Sequence, residues 1–180
     1  MMEVHQTKLS GVLIIEPDVH RDERGFFMER HHRRRYGELP GLDLDFVQDN
    51  HSHSRQGVLR GLHFQRRHPQ GKLVSVVSGA VWDVAADIDP ASPTFRQWVG
   101  IELNGTNHRQ LYIPPGFAHG FCVLSASADL LYKCTDFHHP EDEAGVLWND
   151  AELAIEWPVA DPVLSPRDAR NPALRDCLRG

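Results

Sequence analysis

Residues 81–89, VWDVAADID, alternate between two sets of side chains. Successive side chains of a β-strand point to opposite faces, so this alternation indicates a strand. One face is wholly apolar and carries Trp82, Val84, Ala86 and Ile88. The other face is mixed and carries Val81, Asp83, Ala85 and Asp87. A strand of this kind predicts a sheet in which carboxylates stand among small buried residues.

Similar short runs of β-branched and aromatic residues recur along the chain between turn residues, which indicates an antiparallel sheet protein. The runs are 11–15, 25–29, 44–50, 58–65, 72–77, 80–88, 95–103, 109–113, 117–124 and 129–137. Helix signals are confined to about 30–39 and to the segment after Ser165. We therefore predict an all-β jelly-roll or cupin sandwich with a few short helices, formed by residues 1–180 as a single domain.

Composition narrows the class of protein. A chain of 180 residues can bury one sizeable core, and a net charge of -6 opposes non-specific binding to nucleic acid. Its three cysteines form no CxxC pair, which argues against a disulfide or thiolate-zinc framework and favours a reducing cytosol. The apolar run at 11–15 is too short for a signal peptide or a membrane span. We expect a cytoplasmic protein without a membrane or nucleic-acid partner.

Five polar residues stand within or beside the apolar runs, and together they suit proton transfer at carbon. His63 is a candidate general base and Asp168 a carboxylate that fixes its tautomer. Lys72 opens the next run, and pairing of the two strands would bring it near His63 and let it hold an oxyanion. Tyr132 is a candidate acid for the opposite face of a carbon centre, and His119 follows a Pro-Pro-Gly turn. Each residue alone is better explained by packing or capping, and it is their combination in one sandwich that favours a catalytic site.

A metal site is the alternative interpretation of the histidines. His51 and His53 form an HxH pair, which on a strand points both imidazoles to one side. With His63 or His119 they would resemble the ligand set of a metal-dependent cupin. The glutamate that usually follows such a pair is missing, so the pattern predicts no metal.

Two arginines are candidates for binding an anion, because guanidinium forks suit phosphate oxygens. Arg24 precedes a strand run, and Arg60 lies three residues before His63 within one. A straight strand would send Arg60 and His63 to opposite faces. Either a bulge at Gly61 re-aims them, or Arg60 serves another part of the pocket or a partner subunit.

Several blocks in order resemble one known family. They are DERGFFME, FVQDNHSHSRQGVLRGLHFQ, QGKLVSVVSGAVWDVAADIDPASPTF, YIPPGFAHGF, LLYKCTDF, WND, IEWP and LSPRD. Together they span about residues 10–170 and resemble the dTDP-4-dehydrorhamnose 3,5-epimerases, which are cofactor-free deoxysugar epimerases of cupin or jelly-roll fold. The resemblance implies a dTDP-4-keto-6-deoxy-D-glucose substrate, inversion at C3 and C5 to dTDP-4-keto-L-rhamnose, no cofactor, and a homodimer.

The resemblance also implies roles for individual residues. His63 is the general base, Asp168 orients it, and Tyr132 donates the proton. Lys72 and His119 lie beside the sugar carbonyl and hydroxyls. Other positions match those that hold the nucleotide, some of them reaching across the dimer. These positions are Arg24, Phe27, Glu29, Gln48, Asn50 and Arg60.

The chain departs from the family pattern in a few places. Phe137 is followed by His138 and His139 where relatives usually carry a bulky aromatic pair, so His138 is expected to line the pocket differently. Ser75 and Phe64 replace a common arginine and tyrosine. The proton-transfer residues are intact, which leaves open a mono-epimerase that inverts only C3 or C5 of a related dTDP-ketosugar in an antibiotic-sugar pathway. A non-catalytic sugar-nucleotide binding module is a further alternative.

Overall fold

The computed structural model describes residues 2–39, 41–42 and 45–178. The strands are β1 (Glu3–Gln6), β2 (Leu13–Glu16), β3 (Val19–Asp22), β4 (Gly25–Met28), β5 (Gln48–Arg55), β6 (Leu59–Gln65), β7 (Lys72–Ser78), β8 (Ala80–Asp87), β9 (Trp98–Asn104), β10 (Gln110–Ile113), β11 (Phe117–Val123), β12 (Ser127–Cys134) and β13 (Glu143–Gly145). The helices are α1 (Arg33–Gly37) and α2 (Leu174–Cys177), with a 3-10 turn at Asp168–Arg170.

The strands build two facing antiparallel sheets and a separate hairpin. A six-stranded sheet has the order β1-β2-β10-β7-β12-β5, and a five-stranded sheet has the order β13-β6-β11-β8-β9. The core between them combines Val74, Val76 and Leu130 of the first sheet with Val81 and Phe121 of the second. The predicted all-β sandwich with few short helices is confirmed.

Strand positions follow the predicted runs, with differences at their ends. The run at 44–50 begins outside the described residues, and its strand starts at Gln48. Three short strands were not predicted: β1, β3 and β13. The helix expected over 30–39 is only Arg33–Gly37. Across the described ranges, no helix has the length and apolar character needed to cross a bilayer.

The alternation in β8 is explained by burial on both of its faces. Val84 and Ala86 pack against Leu153 and Leu174 of the C-terminal segment, which covers the outside of the five-stranded sheet. The mixed face lies inside the sandwich, where the fully buried Asp83 lies 3.0 Å from Nε2 of His119. A buried carboxylate is costly unless it is hydrogen-bonded, and the imidazole supplies that partner.

The expected pairing of the strands of His63 and Lys72 is wrong. β6 pairs with β11 and β13, whereas β7 pairs with β10 and β12. The loop between them therefore crosses from one sheet to the other. His63 and Lys72 therefore line one cavity from opposite sheets. The prediction failed because the choice of strand partner depends on packing between distant segments.

A bulge at Gly61, one of the two alternatives for Arg60 and His63, is present. Along β11, His119 lies opposite His63 and Phe121 lies opposite Arg60, so two residues of β6 between these pairs face one residue of β11. Arg60 and His63 consequently project to the same side. Gly61 has φ +125°, and a Cβ there would lie 2.7 Å from the Cα of Gly120. A side chain would therefore disturb both the backbone conformation and the contact between the strands.

We predict that Gly61→Ala lowers the free energy of unfolding by about 2–4 kcal/mol, since strain and overpacking add. Gly57→Ala is the matched control, because Gly57 has φ +75° but no atom within 4 Å of the position that a Cβ would occupy. Its cost should be about 1 kcal/mol, from the backbone conformation alone. Urea unfolding measures both, and equal losses would contradict the packing argument.

Candidate active site

Two adjoining cavities lie at one end of the sandwich. The inner cavity, of about 180 Å³, is lined by Gln48, Asn50, His63, Phe64, Gln65, Gln70, Lys72, Tyr132, His138 and Glu143. The outer cleft, of about 290 Å³, is lined by Val58, Leu59, Arg60, His63, Glu143, Val163, Leu164, Ser165, Arg167 and Asp168. His63 and Glu143 line both, so the two spaces adjoin at these side chains. A larger cavity of about 390 Å³ contains neither residue.

His63 is bonded to Asp168, as predicted for a base and its orienting acid. Nε2 of His63 lies 2.6 Å from Oδ1 of Asp168, and the side chains are 29% and 5% exposed. Burial acts to raise the pKa of Asp168, but hydrogen bonds with His63, Ser165 and the backbone of Gly61 outweigh it, so the pKa is lowered. An ionised carboxylate only accepts, so Nε2 donates and Nδ1 keeps a lone pair for a substrate proton.

Lys72 enters the inner cavity from the six-stranded sheet, opposite His63. Burial lowers the pKa of Lys72, while the charges of Cys134, Asp83 and Glu143 act in the other direction. Within the described part of the chain, its ammonium has no hydrogen-bond acceptor. It is therefore free to bind an oxygen of a ligand in the cavity.

Tyr132 also lies on the wall formed by the six-stranded sheet. Burial raises the pKa of Tyr132, helped by Cys134 and Glu143 and opposed by Arg60. Its phenol therefore stays protonated at neutral pH and has a proton to give. His63 and Tyr132 thus line one cavity from different sheets, the arrangement expected for a base and an acid on two faces of a ligand.

His119 lies behind this cavity and not among its lining residues. It is buried and held 3.0 and 3.1 Å from the two carboxylate oxygens of Asp83. It is the strand neighbour of His63. The predicted contact of His119 with the sugar remains a prediction.

Gln48, Asn50 and His138 are all brought to the inner cavity. Nε2 of Gln48 donates to Oδ1 of Asn50 at 2.9 Å, and its Oε1 accepts from the backbone N–H of His138 at 2.8 Å. The imidazole Nε2 of His138 lies 3.2 Å from Oε2 of Glu143. The expectation that His138 lines the pocket agrees with its position.

Arg24, Phe27 and Glu29 are not brought to either space within this chain. They belong to or follow the β3–β4 hairpin. Arg24 is 85% exposed and paired with Asp22, Phe27 is 72% exposed, and Glu29 pairs with Arg35 at 3.2 Å. Arg60, by contrast, lines the outer cleft, where its Nε donates to Oγ of Ser54 at 3.0 Å.

The histidines of the HxH pair face away from the cavity. His51 and His53 are exposed and share Oδ1 of Asp129, at 2.8 and 3.1 Å. Alternate residues of the same strand, including Gln48 and Asn50, turn inward. A metal site that joins His51 and His53 to His63 or His119 is therefore contradicted. Among the described residues, the single His, Cys, Asp or Glu group compact enough for a metal is the set of the exposed Glu3 and His5 and the half-buried Glu16, far from this pair in the sequence.

Sequence reasoning missed Glu143 and Arg167. Nη1 of Arg167 donates to Oε2 of Glu143 at 2.6 Å, and Nη2 donates to its backbone oxygen at 3.1 Å. Glu143 follows a charged PED stretch typical of a surface loop, so nothing in the sequence marked it. Arg167 precedes Asp168 in LSPRD, and that adjacency was the one available signal.

Two loops that carry cavity residues are tied together by Asp142. Its buried carboxylate accepts from the backbone N–H groups of Arg67 and His68 at 2.9 and 2.8 Å, and from Nε of Arg67 at 3.1 Å. Burial acts to raise the pKa of Asp142, but these donors outweigh it and lower the pKa to about 2. The ionised carboxylate thus fixes the segment between His138 and Glu143 against the crossover loop.

Comparison with known proteins agrees with this geometry. The family model described as dTDP-4-dehydrorhamnose 3,5-epimerase matches residues 6–176. A dTDP-4-dehydrorhamnose 3,5-epimerase of Salmonella typhimurium is 53% identical over 180 residues, covering 99% of this chain and 98% of the relative. The chain belongs to the dTDP-4-dehydrorhamnose 3,5-epimerase family. The expectation that it is an epimerase is confirmed.

A solved structure of this family extends the agreement to the fold. The dTDP-6-deoxy-D-glucose-3,5-epimerase of Legionella pneumophila, in complex with dTDP-4-keto-L-rhamnose, has a TM-score of 0.95 and 55% identity. The match covers 97% of this chain and 94% of that one. A dTDP-4-dehydrorhamnose 3-epimerase of Streptomyces niveus is 41% identical over 168 residues, covering 93% of this chain and 81% of the relative. The cupin-type fold implied by the resemblance is confirmed.

We predict that Asp142→Asn destabilises the protein at neutral pH, because the amide replaces a charged acceptor of three donors. A carboxylate with a lowered pKa stabilises the folded state above its unfolded value, and this is lost as pH falls through the folded value. The difference from wild type should therefore be full above about pH 4 and close towards pH 2. Thermal unfolding across pH measures it, with exposed Asp161→Asn as the control. A pH-independent difference would contradict the assignment.

Proposed function

We propose that the chain is a cofactor-independent epimerase that inverts C3 and C5 of dTDP-4-keto-6-deoxy-D-glucose and gives dTDP-4-keto-L-rhamnose. The observation that carries the proposal is the placement of the His63–Asp168 pair and of Tyr132 on different walls of one cavity. Membership of the family supports the reaction type, and the geometry supports the roles of the residues.

In the proposed mechanism, Nδ1 of His63 removes the proton from the carbon next to the C4 ketone. The electron pair of the C–H bond moves into an enolate, and the negative charge collects on the ketone oxygen. Lys72 donates to that oxygen, a contribution that typically reaches about 2.7–4 kcal/mol for one donor. Asp168 stabilises the imidazolium that forms.

Inversion requires that the new proton arrives from the other face. Tyr132 donates its phenolic proton to C5 there. The phenolate then regains a proton from solvent and His63 releases its proton to solvent, which resets both groups for the inversion at C3. The raised pKa of Tyr132 supports this role, since the group enters the reaction protonated. The substrate's own ketone supplies the electronic activation, so the proposal consumes no cofactor.

The nucleotide diphosphate is proposed to occupy the outer cleft. Arg60 and Arg167 line that space next to His63 and provide guanidinium groups suited to phosphate oxygens. Gln48, Asn50 and His138 would contact the sugar in the inner cavity. Arg24 and Phe27, which are exposed on the hairpin, and the half-buried Glu29 that follows it would reach the nucleotide of a partner subunit in a homodimer.

Other functions receive less support. A mono-epimerase would use the same base and acid, but the 3,5-epimerase relative is 53% identical and the 3-epimerase relative 41%. A binding module has no need of a paired base and a buried phenol.

We also propose that residues 1–180 form one domain. We propose further that the enzyme is cytoplasmic, because its three cysteines are buried and unpaired.

We predict that His63→Ala abolishes the incorporation of solvent deuterium at both C3 and C5. General acid–base groups typically contribute about 10²–10⁴-fold, so turnover should fall by that factor. Tyr132→Phe should reduce net inversion while some proton exchange continues, because the base remains. NMR of dTDP-4-keto-6-deoxyglucose incubated in D₂O locates the label.

The control for this experiment is His51→Ala, an exposed histidine outside both spaces, which should exchange like wild type. Near-normal turnover of His63→Ala would refute the base assignment. Label at one carbon only in the wild type would indicate a mono-epimerase.

We predict that a shared site allows two inactive variants to complement each other. In a mixed dimer of His63→Ala and Arg24→Ala subunits, one site carries both changes and the other carries neither. Random mixing should restore roughly a quarter of wild-type activity, since half of the dimers are mixed and each has one intact site. Co-expression and activity assays test this. Absence of complementation in proven mixed dimers would place Arg24 in its own subunit's site or in none.

A further inference from the structure

Glu143 stands closer to the catalytic base than its place in the sequence suggests. In the pairing of β13 with β6, Glu143 lies opposite Gln65 and Gly145 lies opposite His63. Glu143 is thus the diagonal neighbour of His63, at a typical backbone separation of about 7–8 Å. Both side chains line the inner cavity and the outer cleft. The proposed mechanism leaves this carboxylate without a role.

The carboxylate of Glu143 is held in a fixed place. Two nitrogens of Arg167 bind its side chain and its backbone oxygen, and His138 approaches the same carboxylate oxygen. Burial acts to raise the pKa of Glu143, but the hydrogen bonds from Arg167 and His138 and the charges of Arg167 and His63 outweigh it, so the pKa is lowered. A negative charge is therefore present beside His63 at neutral pH.

The charges that face His63 come from several elements. The charged groups are Asp168 and Arg167 from the C-terminal segment, Glu143 from β13, Arg60 from its own strand, and Lys72 from across the inner cavity; the titratable side chains His119 of β11 and Tyr132 lie nearby. Among the described residues that line the two spaces, Asp168 and Glu143 are the carboxylates. Asp168 touches the ring directly, so Glu143 is the remaining group that favours a positive imidazole.

We propose that Glu143, fixed by Arg167, is a positioning residue that acts through His63 by stabilising its protonated form across the cavity wall. This inference rests on the proposed function, because it assigns Glu143 to the titration of the proposed base. Glu143 favours the imidazolium and Arg167 opposes it.

The proposal predicts the direction in which the pH dependence of catalysis moves, which a purely structural role for Glu143 does not. Glu143→Gln removes the negative charge and leaves the positive charge of Arg167 uncompensated, so His63 should lose its proton more readily. The acidic limb of kcat/KM, which reports the free enzyme's base, should move to lower pH by about half a unit or more. Arg167→Gln removes the positive charge and should move the limb to higher pH, although kcat/KM itself falls if Arg167 binds diphosphate.

The test is the profile of kcat/KM for dTDP-4-keto-6-deoxyglucose from about pH 5 to about pH 9. Glu141→Gln is the matched control, since Glu141 lies two residues earlier, is exposed, lies 3.7 Å from His139, and lines neither space. The series is repeated with His138→Asn, so that titration of His138 does not account for a moving limb. Thermal unfolding shows whether each variant is folded.

Opposite shifts in Glu143→Gln and Arg167→Gln, with no shift in Glu141→Gln, support the inference. Both variants remove the salt bridge between Arg167 and Glu143. If the acidic limb stays in place in both, or moves in the same direction in both, the inference is overturned. Wild type and Glu141→Gln report separately on the proposed function, because their failure to epimerise the substrate would refute that function whatever the profiles show.

Discussion

The one-residue bulge at Gly61 is the constraint on which the rest of the site depends. It turns Arg60 and His63 to the same side of β6, although they are three residues apart. The backbone of Gly61 also hydrogen-bonds the carboxylate of Asp168, which in turn holds His63. A regular strand would point one of the two side chains away from the cavity, and the base and the anion-binding group would be separated.

The two sheets contribute different chemistry to the space between them. The five-stranded sheet supplies His63 and His119, and each imidazole is already hydrogen-bonded to a carboxylate, that of Asp168 or of Asp83. The six-stranded sheet supplies Lys72 and Tyr132. Burial lowers the pKa of Lys72 and raises the pKa of Tyr132, and both shifts favour the neutral side chain. An oxyanion between the sheets would favour the charged ammonium of Lys72. The protonation of Lys72 therefore responds to a ligand, whereas His63 already has a hydrogen-bond partner without one.

The sequence allowed most of the candidate catalytic residues to be named, but not the way in which the fold brings them together. His63, Asp168, Lys72 and Tyr132 were recognisable because polar groups in apolar strands demand a partner or a ligand. The route by which His63 and Lys72 meet was predicted wrongly, since they lie in different sheets. The roles expected of Arg24, Phe27 and Glu29 stay predictions, because Arg24 and Phe27 are exposed, Glu29 pairs with Arg35, and none of them lines the two spaces.

By itself, the sequence determined the alternation of β8, most of the strand positions and the residues able to move a proton. These follow from local backbone geometry and from the chemistry of single side chains, which are read within a few residues. The family was indicated by motifs spread over about residues 10–170. Only the tertiary structure decided which strands pair, that His51 and His53 face outward, and that Glu143 and Arg167 stand beside His63. Register and partner choice depend on burial summed over segments far apart in the chain, and no local pattern records that sum.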